Sequence, residues 1–422
     1  MDVRDNQLYL GECAASAIAE AFGTPLYVYE EEVIRRQCRI IRESFAAIAP
    51  EFHYAMKANP NPALLRVIKA EGMGIDTVSP HEVRLALESG FLPEQILFTG
   101  SNTSAEELRF AVEKGVTVNV GSLNELDHYG QLNPGGRVAL RINPDVGAGH
   151  HPHCITGGPN SKFGIYHTES AAIADRLQRH SLKLVGIHSH IGTGILHTED
   201  MLEAMEIILR TARPFPGLEF IDFGGGFGIP YRPEERPLPM KELGRAMAER
   251  FAVFRAEYGS PVKMKLEPGR FLVAQSGTLL VRVTNQSRTP AHLFVGTDSG
   301  FNHLVRPTMY GAYHEIVNAT VVKGERVQAV VAGNICESGD LFTQNGEGLE
   351  ARELTLPETG HLLAILDAGA YGMSQSSQYN MRARPAEVMV FQGIARLIRR
   401  RESYEDLVRD YVTGGGRSFH AL

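Results

Sequence analysis

The stretch FHYAMKANPNPALLRVIKAEGMGIDTVSPHEVRLALESG, residues 52–90, contains the pattern that decides the fold. It holds two short runs of apolar and β-forming residues, Phe52–Lys57 and Met73–Val78. The second run is followed by HEVRLALESG, in which apolar residues recur at the i, i+3, i+4, i+7 spacing of a helix. Ser79 and Pro80, ahead of Glu82, are residues that favour a helix start. The stretch therefore predicts strands that alternate with helices.

The same alternation continues to about residue 270. Helical stretches such as SAEELRFAVEKG and KELGRAMAERFAVFRAEYG separate six further strand-like runs. Those runs are Gln95–Thr99, Val116–Val120, Arg137–Ile142, Leu182–His190, Leu218–Phe223 and Val262–Glu267. Eight strands that alternate with helices over about 220 residues predict a (β/α)8 barrel. A doubly wound sheet is the alternative, although it usually has fewer strands and a switch point.

The pattern changes after residue 272. FLVAQSGTLLVRVTNQS, AHLFVGTD, ATVVKGERVQAVVAG and HLLAILDAGAYG are strand-like runs without long helices between them, which indicates an all-β segment. The fold class is therefore α/β, a (β/α)8 barrel with an additional all-β domain. We expect the barrel over residues 25–272 and a β-domain built from residues 1–24 together with 273–422, because chain termini often lie close together.

Composition narrows the class of protein. The 422 residues carry a formal net charge of −7, which indicates neither a nucleic-acid partner nor a membrane partner. We find no apolar signal segment at the N-terminus and no run of 18 apolar residues. Cys13, Cys38, Cys154 and Cys336 form no CxxC pair, so we expect free thiols and a cytoplasmic location.

Several polar residues stand at the predicted strand ends. In a (β/α)8 barrel the working residues lie at the C-terminal ends of the strands, so these side chains are expected to meet at one mouth. They are Lys57 after strand one, Asp76 after strand two, His190 and Thr193 after strand six, Gly224, Gly225 and Gly226 after strand seven, and Glu267 and Arg270 after strand eight.

These residue types suit an aldehyde cofactor. Desolvation tends to lower the pKa of a lysine in a barrel mouth, so the amine of Lys57 would become nucleophilic. The backbone of GGGFG could face a phosphate, and Glu267 could keep a pyridine nitrogen protonated, as pyridoxal phosphate requires. Taken singly, each feature has a plainer explanation: a surface ion pair for Lys57, a tight turn for the glycines, and pairing with Arg270 for Glu267.

His188 and His190 form an HxH pair. Alternate residues of a strand share a face, so both could bind one metal ion. The next two strand ends supply only glycines, Glu267 and Arg270, so we expect no metal site. An imidazole stacked on a cofactor ring agrees better with this pattern.

The motifs YAMKANPNP, GIDTVSPHE, HSHIGTG, DFGGGFGIPY, LEPGRFLVAQSG, RPTMYGAYHEI, GNICESGDLF, DAGAYGMSQSSQYN and RPAEV occur in this order. Together they resemble the diaminopimelate decarboxylases, fold-type III pyridoxal-phosphate enzymes, over about residues 20 to 400. The combination of EPGR, RPxxY and CESGD separates this family from related decarboxylases. The resemblance implies decarboxylation of meso-2,6-diaminopimelate to L-lysine and CO2 by a homodimer with shared active sites.

The resemblance also implies roles for individual residues. Lys57 would hold the cofactor, His190 would stack on its ring and Glu267 would meet the pyridine nitrogen. The remaining residues expected at the cofactor are Asp76, Thr193, Gly224, Gly225, Gly226, Gly269, Arg270 and Tyr371. The residues expected at the substrate are Arg270, Arg306 and Tyr310 for the distal carboxylate, Glu337 for the distal amine, Tyr371, and Cys336 as proton donor at Cα. Cys336 and Glu337 are expected from the partner subunit.

The arginines carry the substrate preference. Guanidinium binds carboxylate bidentately, and each charged hydrogen bond is worth about 1.5–3 kcal/mol. A second carboxylate on the substrate therefore explains Arg270, Arg306 and Tyr310 better than lysine or ornithine would. A decarboxylase for another basic amino acid, a pyridoxal-phosphate carrier and a metal-dependent hydrolase are the alternatives. Thr193, Asn334, Met381 and Ala383 depart from the usual family residues.

Overall fold

A computed structural model describes residues 2–149, 151 and 155–411, so Cys154 lies outside the described residues. The chain divides into two compact units. The barrel unit comprises Glu30–Gly277 and Asp367–Ser374, and the β unit comprises Met1–Tyr29, Thr278–Leu366 and Gln375–Leu422. The domain limits at 24/25 and 272/273 stay a prediction. The compact units divide at 29/30 and 277/278 and return residues 367–374 to the barrel unit.

Eight parallel strands close the barrel. Each pairs with the next, and the eighth pairs with the first through Lys265 opposite Glu51 and Leu266 opposite Phe52. In order, the strands are Glu51–Ala55, Gly74–Thr77, Ile96–Phe98, Thr117–Val120, Arg137–Asn143, Lys183–His188, Phe220–Asp222 and Lys263–Leu266. The predicted (β/α)8 barrel is confirmed, and the strands lie within or next to the predicted runs.

Helices surround these strands. They are Glu31–Ser44, Pro62–Ala70, Pro80–Glu88, Ala105–Glu113, Leu123–Leu132, Ser170–Arg179, Glu199–Ala212, Met240–Tyr258 and the short Arg270–Val273. Several of these helices begin at a capping residue. The Ser79 hydroxyl accepts a hydrogen bond from the Glu82 amide, and Ser104 forms a reciprocal capping box with Glu107. Each barrel strand has buried apolar residues, such as those at 138–140 or Ile96–Phe98, which the sequence shows as a short β-forming run.

The β unit is built on the long strand Gly277–Arg288. This strand pairs antiparallel with Leu293–Thr297 and with Leu362–Ile365. The other strands of its sheet are Leu26–Glu30, Ile316–Asn318, Arg326–Ala332, Arg352–Thr355, Ala386–Phe391 and Ile394–Arg399. Gln344–Asn345 pairs separately with Gly348–Leu349, and the short helices of the unit are Ala15–Phe22, Arg306–Tyr310 and Tyr404–Val408.

The N-terminal segment belongs to this β unit. Strands Asp2–Arg4, Gln7–Leu10 and Cys13–Ala14 form a small antiparallel sheet. Leu8 and Leu10 pack in one apolar cluster with Val28, Leu280 and Val388. The predicted all-β domain, with its N-terminal contribution, is confirmed. Among the described residues, no helix has the length and hydropathy that crossing a bilayer requires.

Candidate active site

The barrel mouth begins with an ion pair at the ends of the first two strands. Lys57 lies in the single helical turn Met56–Ala58 that follows strand one, and its Nζ donates to Asp76 Oδ2 at 3.2 Å. The side chain of Lys57 is 36% exposed, whereas that of Asp76 is 1% exposed. A reachable amine therefore stands over a buried carboxylate.

The pKa of Lys57 is raised, whereas the sequence predicts a lowered one. Burial acts to lower it, but Coulombic interactions with Asp76, Tyr371 and Glu267 outweigh burial, so the pKa is raised above its ordinary value. The predicted fall is wrong, because the carboxylate of Asp76, 3.2 Å from the amine, opposes the effect of desolvation. Burial and the charge of Glu267 raise the pKa of Asp76 to about 7. Asp76 is thus able to take up or release a proton near neutral pH.

A second carboxylate lies deeper, at the end of strand eight. Glu267 is buried, and its Oε2 accepts a hydrogen bond from His188 Nε2 at 3.0 Å. Among the residues that the structure describes, Glu267 Oε1 has no hydrogen-bond partner. An unsatisfied buried oxygen costs free energy, so this atom is a ready acceptor for an N–H group of a bound molecule.

The two histidines of HSH have different partners. His190 Nδ1 accepts the backbone N–H of Gly225 at 3.2 Å, which fixes the ring at the mouth. Burial, together with the charges of Lys57 and Arg141, lowers the pKa of His190 well below its ordinary value. The ring is therefore a neutral imidazole, as stacking on an aromatic ring requires.

Close packing around the loop after strand seven leaves no room for a Cβ at Gly224 or Gly225. A Cβ on Gly225 would lie 2.1 Å from the carbonyl oxygen of Glu267, and one on Gly224 would lie 2.4 Å from that of Ser189. Gly224 and Gly226 also have positive φ, which glycine adopts readily. The N–H groups of Gly224 and Gly225 donate to Asp222 Oδ1 and His190 Nδ1. Phosphate binding by this loop stays a prediction.

Arg270 is held on several sides. Its Nε donates to Thr193 Oγ1 at 3.2 Å, and its Nη1 donates to the hydroxyl of Tyr231 at 2.9 Å. Its guanidinium lies 4.9 Å from the ring centre of Tyr371. Gly269 lets this segment approach strand one, since its Cβ would lie 3.1 Å from that of Ala55. The structure thus brings together the barrel residues that the sequence predicted.

Four predicted site residues belong to the β unit. Arg306 is buried, and its Nη1 donates to His314 Nε2 at 2.9 Å. The hydroxyl of Tyr310 accepts from Gln375 at 3.2 Å. Cys336 is exposed, its N–H donates to Asn380 Oδ1 at 2.7 Å, and the carboxylate of Glu337 accepts from the Tyr379 hydroxyl at 2.7 Å. Their roles in catalysis stay predictions.

Three residues of the mouth were missed by the sequence reasoning. Asp222 ends strand seven directly before the glycines, so the strand-end rule would have found it. Arg141 lies in strand five, where its guanidinium stands 4.4 Å from the Phe163 ring centre and burial lowers its pKa to about 10. Tyr231 lies outside any helix or strand, and nothing in its local sequence marks it as a partner of Arg270.

His188, Asp222 and Glu267 lie close enough to be weighed as a metal site. One potential ligand atom from each lies within 4.8 Å of the others, and all three residues are buried. The hydrogen bond between His188 and Glu267 already satisfies one atom of each without an ion. The absence of a metal site stays a prediction.

Comparisons with known proteins bear on this site. Residues 31–274 match the family model described as "Pyridoxal-dependent decarboxylase, pyridoxal binding domain". The diaminopimelate decarboxylase of Methanothermobacter thermautotrophicus is 44% identical, over 97% of this chain and 96% of that protein. That of Escherichia coli strain K12 is 41% identical, over 92% of this chain and 93% of that protein.

Solved structures agree with these matches. A Helicobacter pylori diaminopimelate decarboxylase complexed with L-lysine superposes with a TM-score of 0.85 at 31% identity, covering 93% of this chain and 98% of that one. The enzyme from M. jannaschii in complex with L-lysine gives a TM-score of 0.88 at 35% identity, covering 98% of each chain. A lysine/ornithine decarboxylase from Vibrio vulnificus, 22% identical with a TM-score of 0.77, shares the fold.

Proposed function

The chain belongs to the diaminopimelate decarboxylase family, and from this premise we propose how its residues divide the work of the reaction. It is a pyridoxal-phosphate-dependent carboxy-lyase that converts meso-2,6-diaminopimelate to L-lysine and CO2, the last step of lysine biosynthesis. The observation that carries the assignment of residues is the barrel mouth, where partly exposed Lys57, buried Asp76 and buried Glu267 lie together.

We assign the cofactor to this mouth. Lys57 would hold it covalently, with the carboxyl of Asp76 beside its amine. Neutral His190 would stack on the ring, and Glu267 Oε1 would accept the N–H of the pyridine. The residues assigned to the phosphate or its surroundings are Thr193, Gly224, Gly225, Gly226, Gly269 and Tyr371.

The role proposed for Glu267 is to hold a negative charge beside the pyridine nitrogen of the cofactor. Once bound, pyridoxal phosphate supplies an electron sink for the carbanion that loss of CO2 leaves. Glu267 serves this sink because a carboxylate at the pyridine nitrogen keeps that nitrogen protonated. Support comes from the buried Oε1 of Glu267, which has no hydrogen-bond partner among the described residues and can accept an N–H from a bound group.

We assign the distal end of the substrate to Arg270, Arg306, Tyr310 and Glu337. Arg270 is supported by its fixed position, since bonds to Thr193 and Tyr231 hold the guanidinium before a substrate arrives. A preorganised guanidinium binds a carboxylate with a smaller loss of side-chain entropy. Glu337 would receive the distal amine in exchange for its bond to the Tyr379 hydroxyl.

We propose a homodimer in which each β unit supplies Cys336 and Glu337 to the active site of the partner. The thiol of Cys336 is exposed, and large apolar side chains of the same unit are exposed as well: Met309 at 51%, Tyr379 at 43% and Met381 at 48%. An interface would cover such side chains. The free thiols of Cys13, Cys38 and Cys336 support a reducing, cytoplasmic location.

Substrate choice is tested by CO2 release from meso-diaminopimelate, L-lysine, D-lysine, L-ornithine and L-arginine. We expect release from diaminopimelate alone, with L-lysine formed. Release from a monocarboxylic amino acid would contradict the roles of Arg270, Arg306 and Tyr310.

Sharing of the site is tested by mixing two inactive variants, Lys57→Ala and Cys336→Ala, under conditions that exchange subunits. A mixed dimer with shared sites has one site with both residues intact. When equal amounts exchange at random, about half of the dimers are mixed and one of their two sites is intact. About a quarter of all active sites should therefore be functional. Failure to recover activity after verified exchange would place Lys57 and Cys336 of one chain in the same site.

A further inference from the structure

His188 stands directly behind the carboxylate that we assign to the cofactor. Its Nε2 lies 3.0 Å from Glu267 Oε2, and the two side chains are 2% and 3% exposed. Water therefore does not compete for this bond. One oxygen of Glu267 is fixed by His188, and the other is the oxygen without a partner among the described residues.

The barrel fixes the position of His188. It ends strand six, where its Cα is paired in register with that of Asp222 on strand seven. Asp222 is in turn held by the Gly224 N–H at 2.8 Å. The backbone of His188 is thus fixed by the pairing of two barrel strands.

The charges define which atom carries the proton. Burial lowers the pKa of His188, so the ring is neutral and has one N–H. Within the described part of the chain, His188 Nδ1 has no hydrogen-bond partner, whereas Nε2 faces a carboxylate oxygen. The N–H therefore resides on Nε2, since a carboxylate requires a donor.

The two buried carboxyls beside His188 have pKa values that move in opposite directions. Burial and the charge of Glu267 raise the pKa of Asp222 well above its ordinary value. Burial acts to raise the pKa of Glu267 as well, but His188 and Lys57 outweigh it, and that pKa is lowered. Adjacent carboxyls whose pKa values move apart in this way take different roles.

We propose that His188 is a positioning residue for the cofactor: its Nε2–H holds Glu267 by Oε2 as an anion and leaves Oε1 to accept from the pyridine nitrogen. The proposal rests on the role given to Glu267 under Proposed function. Without the donor, Glu267 would be a buried carboxylate lacking its bond, and the shared proton would move from the pyridine to Glu267.

The test compares two amides at position 188. The amide nitrogen of glutamine occupies nearly the place of Nε2, whereas that of asparagine occupies nearly the place of Nδ1. His188→Gln should therefore keep the donor and His188→Asn should lose it, although both bury a polar amide. Each apo-protein is titrated with pyridoxal phosphate carrying 15N in its ring, and the 15N chemical shift and the cofactor affinity are measured.

We expect His188→Gln to keep the shift of a protonated pyridine. His188→Asn should move the shift to the unprotonated range and weaken cofactor binding by about 10- to 100-fold, the worth of a hydrogen bond to a charged group. The control variants His53→Gln and His53→Asn alter another buried histidine of the barrel. They should leave the shift unchanged, which separates the role of His188 from loss of a buried imidazole.

Two outcomes overturn the proposal: a protonated shift with wild-type affinity in His188→Asn, or an unprotonated shift in His188→Gln. An unprotonated shift in His188→Gln refutes the positioning role even when the His188→Asn protein fails to fold. Glu267→Gln distinguishes a failure of the role assigned to Glu267 from a failure of the role assigned to His188. A Glu267→Gln protein with the wild-type shift refutes the assignment of Glu267 itself, whereas a shift that moves there and not in His188→Asn refutes only the positioning role.

Discussion

Asp76→Asn should make Lys57 react with the cofactor at lower pH. The substitution removes a negative charge 3.2 Å from Lys57 Nζ and leaves an amide oxygen in nearly the same place as an acceptor. Because the negative charge of Asp76 contributes to the raised pKa of Lys57, its removal lowers that pKa. The fraction of free amine at a given pH then rises.

The size of the shift is bounded by geometry. At an effective dielectric constant of about 20, two unit charges at this separation attract by about 5 kcal/mol. Lys57 is 36% exposed, so solvent screening reduces this to about 1–3 kcal/mol, or about one to two pH units. The full effect appears only above pH 7, since the pKa of Asp76 is about 7 and its charge is lost below it.

The assay follows the pH dependence of cofactor attachment to apo-protein. Pyridoxal phosphate is added at each pH, the adduct is trapped with borohydride, and the Lys57 peptide is quantified by mass spectrometry. The midpoint should fall by about one to two units in Asp76→Asn. Asp127→Asn, which removes a carboxylate paired with Arg176 on the outer helices, is the control. An unchanged or higher midpoint in Asp76→Asn would refute the electrostatic account.

Three further predictions concern single groups. Tyr231→Phe removes a hydroxyl that accepts from Arg270 at 2.9 Å, so KM for diaminopimelate should rise by about 10-fold with kcat nearly unchanged; steady-state kinetics with an unchanged KM would contradict this. Cys336→Ala should lower kcat by about 10²- to 10⁴-fold and leave cofactor affinity unaltered, and an unchanged kcat would end its role as proton donor. Gly225→Ala places a Cβ 2.1 Å from a backbone oxygen and should destabilise the fold by about 1–3 kcal/mol in denaturant titrations. Gly346→Ala, with nothing within 4 Å, should not; equal stability of the two variants would refute the packing argument.

The barrel was predictable because its strands are buried on both faces. Such strands are rich in apolar and β-forming residues, so runs such as that ending in Lys57 stand out between amphipathic helices. The rule that parallel strands end at the same mouth then predicts that Lys57, His190 and Glu267 lie close together. Both steps rest on local patterns of sequence, which is why they succeeded.

Properties that depend on distant neighbours were not predictable in this way. The direction of the Lys57 pKa depends on Asp76, Tyr371 and Glu267, whose distances no local pattern records. Tyr371 belongs to the barrel unit although the β-unit segment Thr278–Leu366 separates it from the rest of the barrel sequence. Its backbone N–H donates to the Ala58 carbonyl, and its φ of +56° is rare for a tyrosine, so tertiary contacts override the local preference.

The HSH motif shows where sequence reasoning reaches its limit in a site of this kind. Alternation along a strand predicts that His188 and His190 share a face, and a shared face suits a metal ion or two separate partners equally well. The structure gives His188 a carboxylate partner and His190 a backbone N–H partner. Three carboxyls stand in the same mouth, and two of them, Asp76 and Asp222, have raised pKa values while Glu267 stays ionised. A buried carboxylate that is held by a neutral histidine through one oxygen, with its other oxygen unpartnered among the described residues, suits the N–H of a protonated pyridine.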